Sequence, residues 1–251
     1  MKSAVGMFVQ SLWWRVSQLK RKITIFVGKI QNHQSNFQKM QKNIAEFPEF
    51  YASAYLSMKA DILARLKEFT EIQEHQWFYE ACYCILTPQS KAVNADWVVQ
   101  QLKACDFEHA ECDVLSLLRD PTHYIRFHNQ KTRNLHLLKE QFEEIRSIIS
   151  DNRKSPLLLR DMLTKHIRGF GMKESAHFMR NIGIFGPTIL DRHILKHLSA
   201  CGIHKAKTPP TSRATYLSIE KAWLRYCKKT EIPMEEMDLL FWALETGFIL
   251  K

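Results

Sequence analysis

A lysine and an aspartate near the middle of the chain have the chemistry and the setting needed for covalent catalysis. Lys173 follows two glycines at the predicted start of a helix, and Asp191 lies at the predicted start of a later one. A helix N-terminus and partial burial both disfavour an ammonium group, so Lys173 is a candidate amine nucleophile that forms a Schiff base. Asp191 is suited to cap its helix and, while ionised, to stabilise positive charge on a substrate.

The two glycines, Gly169 and Gly171, predict a tight turn that another backbone can approach closely. Apolar residues at helical spacing flank this turn on both sides: Leu163, Ile167, Ala176 and Met179. The pattern predicts a helix–hairpin–helix motif. Backbone N–H groups of such a turn, and of the helix that follows it, can hold a phosphate without reading base sequence.

The elements that must position these residues are predicted to be helices. Apolar residues recur at three- and four-residue steps over several segments: 49–86, 92–102, 113–118, 123–150, 193–200, 216–226 and 234–243. No convincing two-residue alternation or hairpin-turn dipeptide indicates strands. We therefore predict an all-α fold of two helical lobes, with the helix–hairpin–helix motif at the cleft between them.

The positive charge of the chain is concentrated at its beginning. The formal net charge is +10, and residues 1–45 contain eight lysines and arginines but no acidic residue. We therefore divide the chain into a basic N-terminal extension, 1–45, and a body, 46–251. A basic chain favours a polyanionic partner such as nucleic acid. For the extension several roles stay open: a targeting segment, a DNA-clamping arm, a membrane-surface helix, or translation from a start codon upstream of the true one.

Cysteine usage and hydropathy indicate an ordinary reduced compartment. The six cysteines occur without a cleavable signal pattern, so we expect reduced thiols in a cytoplasmic protein. No run of 18 or more apolar residues predicts a membrane span. His193, His197 and Cys201 share one helical face and make zinc an alternative, but packing and phosphate contact explain the same residues. We expect neither a metal nor a cofactor.

The motif with Lys173 and Asp191 resembles the catalytic core of the helix–hairpin–helix DNA glycosylases that also cleave at the abasic site. Within that superfamily, further stretches resemble the archaeal-type 8-oxoguanine DNA glycosylase/lyases, in the family's order: 84–90, 125–131, 178–183 and 245–251. The resemblance covers roughly residues 45–251. Some members of the superfamily carry an iron–sulfur cluster bound by four cysteines after the catalytic aspartate. Only Cys201 and Cys227 follow Asp191 here, so no cluster is expected.

The resemblance implies a bifunctional enzyme that acts as a monomer on double-stranded DNA containing a damaged base. Lys173 takes the position of the nucleophile that forms the Schiff base before β-elimination, and Asp191 that of its carboxylate partner. Gly169 and Gly171 are expected to bind the DNA backbone. Arg168, which stands where relatives often have proline, and His193 are expected to contact phosphates as well.

A glycosylase must also extrude the target base and fill the gap that it leaves. The resemblance implies that Gln89 is the side chain inserted into the duplex, and that Lys251 helps to distinguish 8-oxoguanine from guanine. Phe241 or Trp242 is expected to stack on the extruded base. Phe127 and His128 are further candidates for the pocket, although His128 could equally cap the next helix.

Two other functions remain open on the sequence. The lesion could be another oxidised base, such as an oxidised pyrimidine, because the pocket is the least determined part of the site. The chain could also be a non-catalytic helix–hairpin–helix module in which Lys173 only contacts phosphate. Such a module needs the glycines but has no use for a carboxylate beside the amine. A membrane-surface protein is a distant third, supported only by residues 1–30.

Overall fold

A computed structural model of the protein describes residues 47–151, 153–205 and 208–249. Within these ranges it contains helices and turns but no β-strand, which confirms the predicted all-α class. Its α-helices are α1 (Glu49–Thr70), α2 (Trp77–Leu86), α3 (Ala92–Ala104), α4 (Val114–Leu118), α5 (His128–Ser150), α6 (Pro156–His166), α7 (Met172–Asn181), α8 (Arg192–Ala200), α9 (Arg213–Thr230) and α10 (Met234–Thr246). None of these described helices is long and apolar enough to span a bilayer. The predicted extension, 1–45, and Lys251 lie outside the described residues.

Two separate hydrophobic cores divide the helices into two lobes. The first lobe comprises α2 to α7, and its core residues run from Phe78 to Ile182. The second lobe combines α1 with α8, α9 and α10 around Trp223 and Phe241. The two-lobe prediction is therefore confirmed. The chain passes from the second lobe into the first after α1 and returns after α7.

Helices α6 and α7 form the predicted helix–hairpin–helix in the first lobe. Ser155 caps α6 by accepting a hydrogen bond from the Leu158 N–H, and Pro156 occupies the first helical position, where its missing N–H does no harm. The turn passes through Gly169 in the left-handed region, at φ +97°. Leu163 and Met179 are fully buried on either side, so the apolar spacing does mark the two packed faces.

Two predicted helices differ from the periodicity that suggested them. The segment 49–86 breaks after α1 and continues through a short 3₁₀ turn, Glu74–Gln76, before α2. The helix predicted from residue 123 begins only at His128. The Asp120 carboxylate accepts hydrogen bonds from the N–H groups of Thr122 and His123, which favours a turn, and Phe127 adopts a left-handed φ of 59°.

The expectation of reduced thiols is wrong for one pair of cysteines. The turn after α3 brings the Cα atoms of Cys105 and Cys112 to 6.3 Å, and the two residues form a disulfide. That separation is within the usual range for a disulfide. The four remaining cysteines are free thiols: Cys82, Cys84, Cys201 and Cys227.

Candidate active site

A cleft of about 1490 Å³ lies between the lobes and is lined by residues of both. Lys173 lines it from the first turn of α7, in the first lobe. Asp191 lines it from the start of α8, in the second lobe. The fold therefore brings into one cleft the two residues that the sequence singled out for chemistry.

Lys173 is held beside a carboxylate that the sequence argument overlooked. Its Nζ lies 3.5 Å from Glu174 Oε1, and the lysine side chain is 25% exposed. The other carboxylate oxygen of Glu174 accepts a hydrogen bond from the Gly171 N–H at 3.1 Å, so Glu174 is fixed against the hairpin. A glutamate or glutamine three residues after the N-cap is a sequence signal for the start of a helix, and this rule could have identified Glu174 as a partner of the hairpin.

Asp191 caps α8, as predicted. Its Oδ1 accepts a hydrogen bond of 2.8 Å from the Ile194 N–H, which satisfies one of the unpaired donors at the helix start. Leu190, directly before Asp191, and Ile194, three residues after it, are buried in the second core, whereas Asp191 itself remains partly accessible from the cleft. Packing on both sides thus holds the carboxylate at the cleft surface.

The hairpin presents an accessible backbone to solvent. Arg168 and Gly169 are exposed, while the flanking Ile167 and Phe170 are buried. Of the two glycines, Gly169 needs the freedom of glycine because its φ is +97°. A Cβ added there would also lie 2.5 Å from the amide nitrogen of Asn134. The φ of Gly171 is −100°, which any residue can adopt.

His193 lines the cleft but belongs to a tightly bonded cluster. Its Nδ1 lies 3.3 Å from Glu245 Oε2, and the other oxygen of Glu245 lies 3.1 Å from His197 Nε2. Hydrogen bonds from Lys196 and His193 lower the pKa of Glu245, and burial lowers the pKa of His197. Within the described ranges no three His, Cys, Asp or Glu side chains converge as metal ligands, and the histidines of the zinc alternative share Glu245 instead.

Gln89 lines the cleft from the loop after α2, and a buried lysine forms hydrogen bonds with this loop. The Gln89 backbone has a left-handed φ of 56°, and its side chain is exposed. Lys131 of α5 donates hydrogen bonds to three oxygens of this loop. Burial lowers the pKa of Lys131 to about 8, and the nearby positive charges of Lys173 and Arg126 act in the same direction. The sequence did indicate that Lys131 is buried, because this residue falls on the same helical stripe as the buried apolar residues of α5.

The candidates for the base pocket separate into two groups. Trp242 lines the cleft, and its indole Nε1 has no hydrogen-bond partner among the described residues. Phe241 is fully buried in the second core, where it stacks on His197, so it cannot be the stacking face that the sequence left open. Phe127 and His128 are not among the residues that line the cleft.

A buried carboxylate, Asp238 of α10, borders the cleft and joins the lobes. It accepts a hydrogen bond from the Arg180 guanidinium of α7. Burial raises the pKa of Asp238 to about 6; the Arg180 charge opposes this shift, and the Asp191 carboxylate reinforces it. Sequence reasoning missed this ion pair because its members are 58 residues apart.

Comparison with known proteins identifies the family. A sequence profile described as 8-oxoguanine DNA glycosylase matches residues 62–232, well over half of the chain. The chain belongs to the 8-oxoguanine DNA glycosylase family. The 8-oxoguanine DNA glycosylase/AP lyase of Fusobacterium nucleatum is 36% identical over 225 residues, covering 84% of this chain and 100% of that protein. The protein of the same name from Korarchaeum cryptofilum is 34% identical over 188 residues, 74% of this chain and 88% of the other.

Solved structures of the same family agree with the arrangement of the lobes. The 8-oxoguanine glycosylase/lyase of Methanocaldococcus jannaschii, in complex with a 15mer DNA containing 8-oxoguanine, is 28% identical and superposes with a TM-score of 0.69 over 77% of this chain and 93% of that one. The 8-oxoguanine DNA glycosylase of Thermotoga maritima has a TM-score of 0.72 at 21% identity, covering 84% and 100% of the two chains, and so shows the shared fold.

Proposed function

We propose that this protein is a DNA glycosylase/AP lyase that excises 8-oxoguanine from double-stranded DNA and then nicks the strand. The observation that carries the proposal is the meeting of Lys173 and Asp191 in one cleft, each supplied by a different lobe, next to a helix–hairpin–helix. Membership of the family supports the choice of lesion. A non-catalytic DNA-binding module would need the hairpin but not this pair.

In the proposed reaction, Lys173 loses a proton and its Nζ attacks C1′ of the damaged nucleotide. The C1′–N9 bond breaks, and its electron pair leaves with the base, which takes up a proton. Asp191 stabilises the positive charge that develops on the sugar. The nitrogen lone pair then expels O4′ from C1′, so the sugar ring opens and O4′ takes up a proton. The protonated imine that results acidifies the C2′ hydrogen. Loss of that proton expels the 3′ phosphate, and water later releases Lys173 from the sugar fragment.

DNA binding is assigned to the exposed hairpin and to the rim of the cleft. Backbone N–H groups around Gly169 and Gly171 are proposed to hold a phosphate, with Arg168 and His193 adding positive or hydrogen-bonding contacts. Gln89 is proposed to enter the duplex where the base is extruded, and Trp242 to stack on that base. The residue Lys251 is proposed to contribute to base recognition.

The proposal also covers the domain organisation, oligomeric state and location of the protein. Residues 46–251 form the enzyme, which we propose acts as a cytoplasmic monomer without a metal or cofactor. Residues 1–45, with eight basic side chains, form an accessory extension to which we assign no function.

Trapping with borohydride on a duplex containing one 8-oxoguanine tests the mechanism. We expect the wild-type protein to be trapped covalently and Lys173→Gln not to be. Lys165→Gln is the matched control, because Lys165 also lines the cleft from the first lobe but is not at the start of α7. The control should be trapped like wild type.

Two other outcomes would contradict the proposal in different ways. Trapping on a duplex with an abasic site, but not on 8-oxoguanine, would keep the lyase and require a different damaged base. Absence of trapping on both duplexes, with DNA affinity intact, would instead identify a binding module.

A further inference from the structure

Lys131 is unusual among the lysines of the described residues because it is 6% exposed and its ammonium group donates three hydrogen bonds. Its Nζ donates to the carbonyl oxygen of Leu86 at 2.6 Å, to that of Pro88 at 2.7 Å and to the hydroxyl of Ser90 at 3.2 Å. The acceptors belong to the last residue of α2 and to the loop that follows it. Lys131 therefore acts as a clamp under residues 86–90.

The loop needs such a clamp. Gln89 adopts a left-handed backbone conformation at φ 56°, which costs on the order of 1–2 kcal/mol for a residue with a side chain. The Pro88 and Ser90 contacts of Lys131 fall on either side of this strained residue. The loop is also held by the Arg126 N–H, which donates a hydrogen bond to the Ser90 hydroxyl at 3.1 Å. The surroundings thus determine the conformation that presents the Gln89 side chain outward.

The same helix that carries Lys131 also touches the hairpin. Asn134 lies one turn further along α5, is 5% exposed, and packs so closely on Gly169 that a Cβ there would meet its amide at 2.5 Å. Two buried polar side chains of one rigid helix therefore contact the two segments that the proposed function assigns to DNA. An apolar stripe continues along α5 into the first core, which anchors the helix: Leu135, Leu138, Phe142, Ile145 and Ile149.

We propose that Lys131 is a positioning residue for distortion of the DNA, holding the loop of Gln89 at a set distance from the hairpin so that Gln89 enters the duplex while the hairpin grips the backbone. The inference rests on the proposed function, since it takes Gln89 as the inserted side chain. It assigns Lys131 no contact with the reacting atoms. The effect of Lys131 must then appear in base extrusion rather than in the chemistry at an abasic site.

The test compares Lys131→Met with Lys139→Met. Lys139 is a matched control, since it lies on the same helix and also donates to a backbone carbonyl, that of Ala110, at 2.7 Å, in the loop between α3 and α4. Insertion is measured without chemistry, as the fluorescence rise of 2-aminopurine placed opposite a tetrahydrofuran abasic analogue in a duplex. Excision of 8-oxoguanine and strand cleavage at a natural abasic site are measured in single turnovers.

We expect Lys131→Met to lose most of the fluorescence rise and to slow 8-oxoguanine excision at least about tenfold, because small misplacements at a reacting complex have effects of this size. Cleavage at the abasic site, where no base needs extrusion, should change much less. Lys139→Met should match wild type in all three. Ser90→Ala removes one of the clamping contacts without removing a buried charge, and it should show a smaller effect of the same kind if Lys131→Met fails to fold.

Two results would overturn the inference. Wild-type fluorescence and excision in Lys131→Met would show that the clamp does not position the loop. Equal losses on both substrates, with a matching fall in melting temperature, would show a purely structural role. Failure of the proposed function is distinguishable: wild type would then leave 8-oxoguanine intact, whereas the fluorescence assay on the abasic analogue would still report whether Lys131 controls insertion.

Discussion

The two lobes differ in how the chain assembles them. The first lobe is one continuous stretch, α2 to α7, and it contributes Lys173 and the hairpin. The second lobe joins α1 to α8, α9 and α10, which the whole first lobe separates in sequence, and it contributes Asp191 and Trp242. The proposed catalytic pair therefore combines a residue from a lobe that is continuous in sequence with a residue from a lobe whose helices are far apart in sequence.

This difference shows what sets the position of Lys173 relative to Asp191. Within each lobe, the helices pack on a shared apolar core, but the two cores are separate. Across the boundary lie two buried ion pairs, Arg160 with Glu220 and Arg180 with Asp238, and the close approach of Gly183 to Thr70. Met172 of α7 adds an apolar contact with the second core. The relative position of Lys173 and Asp191 therefore depends on these individual contacts between the lobes, because no continuous core spans the boundary.

The largest effect is expected from Asp191→Asn. Asparagine caps helices as well as aspartate does, so the fold and DNA affinity should survive while the charge is lost. We expect the rate of 8-oxoguanine excision to fall about 10²–10⁴-fold in single turnovers. Asp113→Asn, at the N-cap of α4 in the first lobe, is the matched control and should leave the rate unchanged. A near-normal rate for Asp191→Asn would reduce Asp191 to a cap.

Arg160→Met should break the buried tie between the lobes. The Arg160 guanidinium is 1% exposed and lies 2.5 Å from Glu220, whose carboxylate would be left buried without its cation. We expect a loss of about 3–5 kcal/mol in the free energy of unfolding, measured by denaturant titration. Glu71→Gln, by contrast, removes an exposed ion pair with Lys67 on the surface of α1 and should cost less than about 1 kcal/mol. Similar losses in both variants would contradict a special role for the buried pair.

Gly183→Ala should strain the junction where α7 leads back toward the second lobe. Gly183 has φ +79°, and an added Cβ would lie 2.8 Å from the Thr70 Cα, a backbone atom that cannot move alone. We expect destabilisation of about 2–4 kcal/mol, from the left-handed conformation together with the clash. Gly202→Ala separates the two causes, because Gly202 has φ +70° but open space around it. If both variants lose the same stability, the contact with Thr70 is unimportant.

Asp238→Asn should show a smaller, pH-dependent effect. The pKa of Asp238 is raised from 3.8 to about 6 in the folded protein, so the folded state binds this proton more tightly than the unfolded chain does. The contribution of Asp238 to stability therefore falls as pH rises from about 4 to about 6. Asparagine does not titrate, so the cost of the substitution should be smaller at pH 8 than at pH 4, by at most about 3 kcal/mol.

Denaturant titrations at the two pH values measure this difference. Asp61→Asn, at an exposed position of α1, is the control for general charge effects. A cost that is larger at pH 8 would mean that the Arg180 charge, rather than burial, dominates at Asp238.

The sequence by itself determined the features whose partners lie within a few residues. The hairpin is one, because the requirement for glycine at Gly169 and the packed positions Leu163 and Met179 are all local. Another is the cap on α8, since the acceptor and donor of the Asp191–Ile194 bond are three residues apart. Helix class and the order of the elements followed from the same short-range periodicity, apart from turns such as the one at Asp120.

Only the tertiary structure decided which residues meet from far apart. Lys131 reaches carbonyls more than 40 residues away, and Arg180 and Asp238 are 58 residues apart, so no spacing rule links them. It also decided between adjacent aromatic residues: α10 turns Phe241 into the second core and leaves Trp242 at the cleft. Helical periodicity indicates that one face is buried, but which face meets which partner depends on how the helices pack, because burial is a property of the assembled lobes.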